Sequence, residues 1–420
     1  MTFKITRDNF CEEITYWLLA LSVISIPFTR WLMLPIALLM VLVQLCDRRF
    51  KKKCQQIRAQ KRGWALLAIA GLFIATAIGT IYAPDVRHAF SDWDCKIWFA
   101  VAPLCILPIG DKITSKRIPL LLGLFCVSTI CCSIGNMAWS LVDLGRTGEI
   151  KYLFYGHATH FIGTETTHPS YLSMYCVMAW TIICYALINN KIESKKGKIA
   201  GIIGVGLLTI EIALLESKAG WLVFCLVLLC TAIYALNYRK RRILLTVLIL
   251  VALCAGSVVA ILHTDRMHAA VTELREGDRT NPTDGTLQRV LVWQTAQRAI
   301  AENFPLGTGT GASRAVLCQS YEANGYTHIL AKRLNCHNQY LESTLEQGII
   351  GILALSAFLI FLIIEAIKRK DFLMGIFFVV VALNFLVEAM LEARAGSNFI
   401  PLMATLLYLR HTMPCAGKSE

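Results

Sequence analysis

The residues with the clearest chemical potential form one short run, Cys336-His337-Asn338-Gln339-Tyr340-Leu341-Glu342, followed by Gly348-Ile349-Ile350-Gly351. Histidine changes charge near neutral pH, so a histidine where an outer loop meets an apolar helix can take a proton from a reacting hydroxyl. Glu342, five residues on, can support such a site without sharing the helix face of His337. The chain has nine histidines, so a purely structural role for one in a loop is the alternative. Upstream, Arg289, Trp293 and Ala296 fall at i, i+4 and i+7, one face of a helix. Pro305-Leu306-Gly307-Thr308-Gly309-Thr310-Gly311 follows. Glycine-rich backbone can bring its amides to a phosphate, but no strand precedes this run, so a dinucleotide fold is not indicated and a plain turn is the alternative. Ser217 and Lys218 stand with Glu216 in a short turn between apolar segments. A lysine there either snorkels to the membrane interface or meets an anionic lipid headgroup.

Other groupings are less specific. His157, His160 and His168 share one loop, but His-x-x-His does not match a helical i, i+4 metal pair, and Glu165 is the only near acid. Asp92-Trp93-Asp94 could hold a divalent ion, the alternative being a solvated turn. No metal site and no cofactor are therefore expected. Most of the sixteen cysteines fall in apolar segments, where they pack as small hydrophobes. Cys318 and Cys336 face outward with seventeen residues between them. An oxidising exterior would permit a disulfide, against two separately packed thiols.

The elements that must position these residues are set by composition. Of 420 residues 56% are hydrophobic and 16% charged, with a mean hydropathy of +0.57; ordinary soluble domains have about 25% charged residues. The solvent for most of the chain is lipid, which excludes a plain soluble enzyme. At about 20 apolar residues per crossing, the sequence predicts twelve transmembrane helices and an all-α fold. They run from Ile14 to Phe28, Trp31 to Cys46, Trp64 to Ala83, Ile97 to Ile109, Ile118 to Val142 and Tyr171 to Ile188. The rest are Ile199 to Leu215, Ala219 to Leu236, Ile243 to Leu262, Glu346 to Ile367, Phe372 to Leu391 and Asn398 to Leu409.

The net charge of +13 could suggest nucleic acid. Yet 26 of the 41 Lys and Arg residues fall in the termini and in alternate turns, including Arg48, Arg49 and Lys51 to Lys53. That spread fixes orientation, with both termini cytoplasmic, and removes the nucleic-acid reading, which needs a gathered basic patch. No cleavable signal peptide is expected, because Asp8, Glu12 and Glu13 precede the first crossing and no small-residue cleavage site follows.

The expected organisation is residues 1–262 with nine crossings, an ordered outer-loop subdomain at 263–345 carrying the chemistry, and 346–420 with three crossings and a tail. Within the loop, Thr286 to Asn303 reads as a helix capped by Asp284 or Thr286 and stopped by Phe304-Pro305. Asp265 to Glu276 is weakly amphipathic, and 337–346 reads as helical, running into the tenth crossing.

In that order, Ser217-Lys218, Arg289-x-x-x-Trp293, Pro305-Leu306-Gly307-x-Gly309 and His337-Asn338-x-x-Leu341-Glu342 with a following Gly-x-x-Gly resemble the O-antigen ligase and polymerase superfamily. The motifs cover about residues 200–365, and the resemblance in topology covers the whole chain. It implies a GT-C-like membrane glycosyltransferase of the bacterial inner membrane, acting at the periplasmic face without cofactor or metal. The implied donor is a glycan on undecaprenyl pyrophosphate, and in the ligases the acceptor is the lipid A core; polysaccharide-assembly proteins are further possible partners. Carried over, His337 is the general base and Arg289 the principal pyrophosphate ligand. Ser217, Lys218, Trp293, Gly307, Gly309, Asn338 and Glu342 complete the binding set. The family usually has arginine where this chain has Lys218, which keeps the charge but not the two-pronged hydrogen bonding.

The chemistry implied is an inverting displacement in which pyrophosphate leaves. Its developing charge would be stabilised by Arg289 and Lys218, at about 4 kcal/mol gross per close pair for an effective dielectric near 20. Two alternatives stay open. A repeat-unit polymerase carries Arg-x10-Gly in two outer loops; Arg266 to Gly277, Arg298 to Gly309 and Arg314 to Gly325 fit, but Arg146 leads to His157. A lipid-sugar flippase would need ionisable groups through the membrane; Glu211 and Glu388 lie in or near the ends of crossings, but with Glu216, Lys218, Glu392 and Arg394 at the outer edge they read as the lining of an outward-facing site rather than a path through.

Overall fold

The computed structural model describes residues 10–29, 31–59, 62–109, 117–154, 168–237, 272, 282 and 285–410. The expected ninth crossing at 243–262, the amphipathic stretch at 265–276, Asp284, His157, His160, Glu165 and the terminal Lys4, Arg7 and Lys418 lie outside them, as do both ends of the Arg266 to Gly277 pattern. The described residues are helical, without a strand.

The first helices are α1 (Phe10–Ser25), α2 (Met33–Cys46), α3 (Phe50–Ala59), α4 (Gly63–Ile81), α5 (Val86–Lys96), α6 (Trp98–Ile106), α7 (Arg117–Thr147), α8 (Pro169–Ile188), α9 (Lys195–Leu214) and α10 (Lys218–Asn237). After them come α11 (Gly285–Asn303), α12 (Ser313–Ala323), α13 (Thr327–Lys332), α14 (Gln339–Arg369), α15 (Phe372–Val387) and α16 (Arg394–Arg410). Six of these, α4, α7, α8, α9, α10 and α14, are long and apolar enough to cross a membrane. Helices α2 and α15 are apolar but shorter, and α1, α6 and α16 stand where the first, fourth and twelfth crossings were expected. The protein is thus a polytopic helical membrane protein, with six full-length spans among the described residues and shorter apolar helices beside them; α15, with 16 residues, falls short of the about 20 needed to span the hydrocarbon.

The spans differ in what surrounds them. In α8, 83% of the apolar window is buried against protein, whereas in α9 the figure is 33%. Helix α8 is therefore central, packed on α7, α9, α10 and α15, while α9 turns most of its apolar surface outward, as a lipid-facing helix does. The polar turn at 47–63 is itself helical as α3, and Asp85 caps α5 by accepting from the Arg87 and His88 amides.

Helix α14 has 31 residues with a break at Gly348, at φ 58° and ψ −136°. Only glycine reaches that conformation without strain, and a Cβ there would lie 2.0 Å from the Pro305 carbonyl oxygen. At 1.5 Å per residue, the part from Gly348 to Arg369 is about 33 Å long, one membrane thickness. The turns before the break, Gln339 to Gln347, are left to build the site. Preceding them, α11, α12 and α13 share a core of Leu287, Leu291, Val292, Ala296, Leu317, Tyr321, Ile329 and Cys336. Helix α11 matches the expected 286–303 helix, and α12 and α13 are additional.

Candidate functional site

The Pro-Leu-Gly-Thr-Gly run is a buckle. The amide of Gly307 donates to the Asn303 carbonyl, Thr308 to Leu345, Gly309 to Glu346, Thr310 to Gly79 and Gly311 to the Glu346 carboxylate, at 2.8 to 3.2 Å. All five are spent on protein acceptors, so Gly307 and Gly309 do not present amides to a phosphate. Their positive φ values of 82° and 91° let the loop lie between the end of α4 and the break in α14.

Beneath the buckle is a buried ionic cluster. Lys96 Nζ lies 2.8 Å from Glu392, 3.3 Å from Asp92 and 3.4 Å from Glu346. These three carboxylates are close enough together to share a metal ion, and the Lys96 ammonium sits against each of them. Burial pulls the lysine pKa down, but the charges of Asp92, Glu346 and Glu392 more than offset this and raise it. Asp94 pairs with Arg394. The Asp92-Trp93-Asp94 run is thus not a solvated turn; it lies on α5 and, through Lys96 and Arg394, anchors that helix to its neighbours. Glu342 belongs to the same interior: its carboxylate accepts from Ser313 Oγ at 2.5 Å and from the Cys336 amide at 2.9 Å. It holds the loop to α14.

The other residues converge on a cavity of about 330 Å³ lined by His168, Ser170, Glu216, Ser217, Lys218, Gln288, Arg289, Lys332 and His337, among others. Three helices begin at its wall: α8 at Pro169, α10 at Lys218 and α11 at Gly285. Helix N-termini offer unpaired amides and partial positive charge, which suits an anion. Ser217 Oγ already accepts from the Gly220 amide at 3.1 Å and lies 3.3 Å from Ser170 Oγ. Among the described residues, Lys218 reaches the Thr286 hydroxyl, at 3.5 Å.

One wall carries a proton-handling group. His337 has φ 44°, an uncommon conformation for a residue with a side chain, and its amide donates to Asn335 Oδ1 at 3.1 Å. Its Nδ1 lies 2.9 Å from Glu388 Oε1, and Glu388 Oε2 lies 3.8 Å from Arg289 Nη2. Burial alone would raise the Glu388 carboxyl. The His337 hydrogen bond and the charges of His337, His168 and Arg289 more than offset it and hold the carboxyl below its usual value. An ionised Glu388 must accept the hydrogen bond, so Nδ1 carries the proton, and in the neutral ring Nε2 is then the basic nitrogen.

His168 is different. Its Nδ1 accepts from the Ser170 amide at 3.3 Å, capping α8. Desolvation lowers its pKa, with Glu388 opposing and His337 and Arg289 adding to the shift. A neutral ring so held carries its proton on Nε2 and is a hydrogen-bond donor.

Of the residues singled out from sequence, Ser217, Lys218, Arg289 and His337 are brought to one cavity. Trp293 packs half-buried on the loop core, one helical turn from Arg289, and its indole N–H finds no acceptor among the described residues. Asn338 caps α14 by accepting from the Leu341 amide and donating to the Leu386 carbonyl. Of the two readings of Cys318 and Cys336, the structure has the separately packed thiols: both are free, Cys336 fully buried in the loop core and Cys318 half-buried on α12. Glu388, Gln288 and Lys332 were not singled out as site residues. Glu388 closes a crossing 51 residues from His337, and no local motif announces such a pairing. Glu211 and Glu388 lie in separate clusters: Glu211 accepts from Asn136 between α7 and α9 at 3.2 Å. The described residues therefore do not join them into the path a flippase would need.

A cation-lined cavity beside a histidine–carboxylate pair is an arrangement that can bind an anion next to a group able to take a proton. Residues 203–356 match the family described as O-antigen ligase, and this segment supports a relation to the O-antigen ligase and polymerase superfamily. The match contains Lys218, Arg289 and His337 but stops before Glu388. The members of the family are membrane glycosyltransferase-like enzymes, and the family points to lipid-linked glycan substrates. No curated protein matches the chain.

Proposed function

We propose that this protein is an O-antigen ligase of the bacterial inner membrane, with the cavity at the periplasmic face and both termini cytoplasmic. It transfers a glycan from undecaprenyl pyrophosphate to a sugar hydroxyl of the lipid A core. The acceptor oxygen attacks the anomeric carbon as its proton passes to His337 Nε2. The bond from that carbon to the pyrophosphate oxygen breaks, its electron pair leaves with undecaprenyl pyrophosphate, and the anomeric configuration inverts. Arg289, Lys218 and the N-termini of α8, α10 and α11 stabilise the departing charge. Glu388 fixes the His337 tautomer and stabilises the imidazolium that forms. His168 Nε2–H donates to the bound substrate. No nucleotide is needed, because the activated bond arrives with the lipid.

The observation that carries this reading is the meeting of Lys218, Arg289 and the Glu388-held His337 around one cavity, from segments far apart in sequence. Deletion and complementation test it. A deletion strain with bare core and accumulated lipid-linked polymer identifies a ligase; core bearing single repeats identifies the polymerase instead. Purified protein is expected to move glycan from lipid donor to acceptor without ATP. His337→Ala and Arg289→Ala variants, expressed at normal level, should lose that transfer, and full activity in both would refute the site.

A further inference from the structure

One cation in the cavity has no assigned role. Lys332 ends the short helix α13 and lines the same wall as Leu334 and His337. Its Nζ lies 3.3 Å from Gln288 Oε1. Gln288 is itself held in place: it is buried, and its Nε2 donates to the Pro282 carbonyl at 2.8 Å. The ammonium is therefore steered by a fixed amide oxygen next to Arg289 in sequence and pairs with no carboxylate among the described residues. Lys218 is in the same position, meeting a hydroxyl among those residues. Arg289, by contrast, shares its charge with Glu388.

The cavity thus presents two lysines that form no ion pair with a described residue, beside an arginine that does. A diphosphate diester carries two negative charges, and these become three when the sugar departs. Glu216 also lines the cavity, so a single lysine would leave such a ligand undercompensated.

We propose that Lys332 is a phosphate-binding residue of this site, forming with Lys218 a two-lysine clamp on the substrate. The phosphate is that of the donor diphosphate or of a phosphorylated acceptor sugar, chemistries that a lysine ammonium meets equally well. This rests on the transferase reading above. The structural alternative is that Lys332 merely complements the C-terminal dipole of its helix, and that role would affect stability but not ligand binding.

The test uses the full-length protein in detergent, as wild type, K332Q and K332R. Inorganic pyrophosphate binding is followed by calorimetry, and transfer is measured with donor and acceptor varied in turn, the acceptor core with and without its phosphates. In K332Q, pyrophosphate affinity should fall about tenfold, the loss of one charged hydrogen bond. One KM should rise by a similar factor with kcat nearly unchanged, Tm without ligand should hold, and K332R should recover most of the loss. A raised donor KM assigns the donor diphosphate; a raised acceptor KM seen only with the phosphorylated core assigns the acceptor. Unchanged pyrophosphate affinity and unchanged KM values in K332Q would overturn the proposal while leaving the transferase standing, and a fall in Tm alone would do the same in favour of helix capping. Lysine-dependent pyrophosphate binding in a wild-type protein without transfer activity would instead overturn the transferase and keep the anion site.

Discussion

Replacing Glu388 by glutamine keeps the size of the side chain and an oxygen that can accept from His337, but removes a charge 2.9 Å from His337 Nδ1 and 3.8 Å from Arg289 Nη2. A hydrogen bond to a charged partner contributes about 1.5–3 kcal/mol net. The Glu388 side chain is only 8% exposed, so solvent screening reduces that little. At about 1.4 kcal/mol per factor of ten, kcat in E388Q should fall about 10- to 100-fold, the range usual for a group that orients a functional histidine. The assay is the initial rate of glycan transfer by purified protein, with donor and acceptor saturating. A double-mutant cycle with H337A gives the decisive readout. If Glu388 acts through His337, E388Q should cost nothing further once the imidazole is gone. Additive losses in the double variant, or a loss below threefold in E388Q alone, would refute the relay from Glu388 through His337 to the substrate.

Other consequences concern stability and redox state. Gly348→Ala places a Cβ 2.0 Å from the Pro305 carbonyl oxygen at a φ of 58°, so it should destabilise by at least about 2 kcal/mol and lower the thermal midpoint in detergent, whereas Gly71→Ala, with open space around it, should not. Because the Glu388 carboxyl is held below its unfolded value, its contribution to stability is fully present above the ordinary glutamate pKa of about 4.3 and is lost as pH falls through the folded value. The stability gap between wild type and E388Q should hold from neutral pH down to about 5 and close below about 4. Cys318 and Cys336 are free, so unfolded, unreduced protein should take up a maleimide at both, with Cys336 protected in the native state.

Legibility from sequence differed residue by residue. Ser217, Lys218, Arg289 and His337 could be picked out because each stands in a short local motif, and all four line the cavity. Gly307 and Gly309 stood in an equally good motif, but their amides are spent on the buckle, Gly307 on Asn303 and Gly309 on Glu346 of α14. A glycine run shows that backbone comes close to something, but not what that something is. Glu342 follows the same pattern: its carboxylate is committed to Ser313 and Cys336. Glu388 and Lys332 were missed for the converse reason, that their value lies in partners 51 and 44 residues away.

Some features of the protein are additive along the chain, and these the sequence determined by itself. Lipid as the solvent, the helical class, the positions of the apolar helices and the order of the basic turns all follow from residue transfer energies summed over windows. Only the tertiary structure decided which of several plausible ionisable residues work together. Lys96 could have been a free cation and is a counterion to three acids; Glu388 could have lined a path through the membrane and instead holds the base. Charge interactions depend on separation in space and on local burial, and neither quantity exists until the helices have packed.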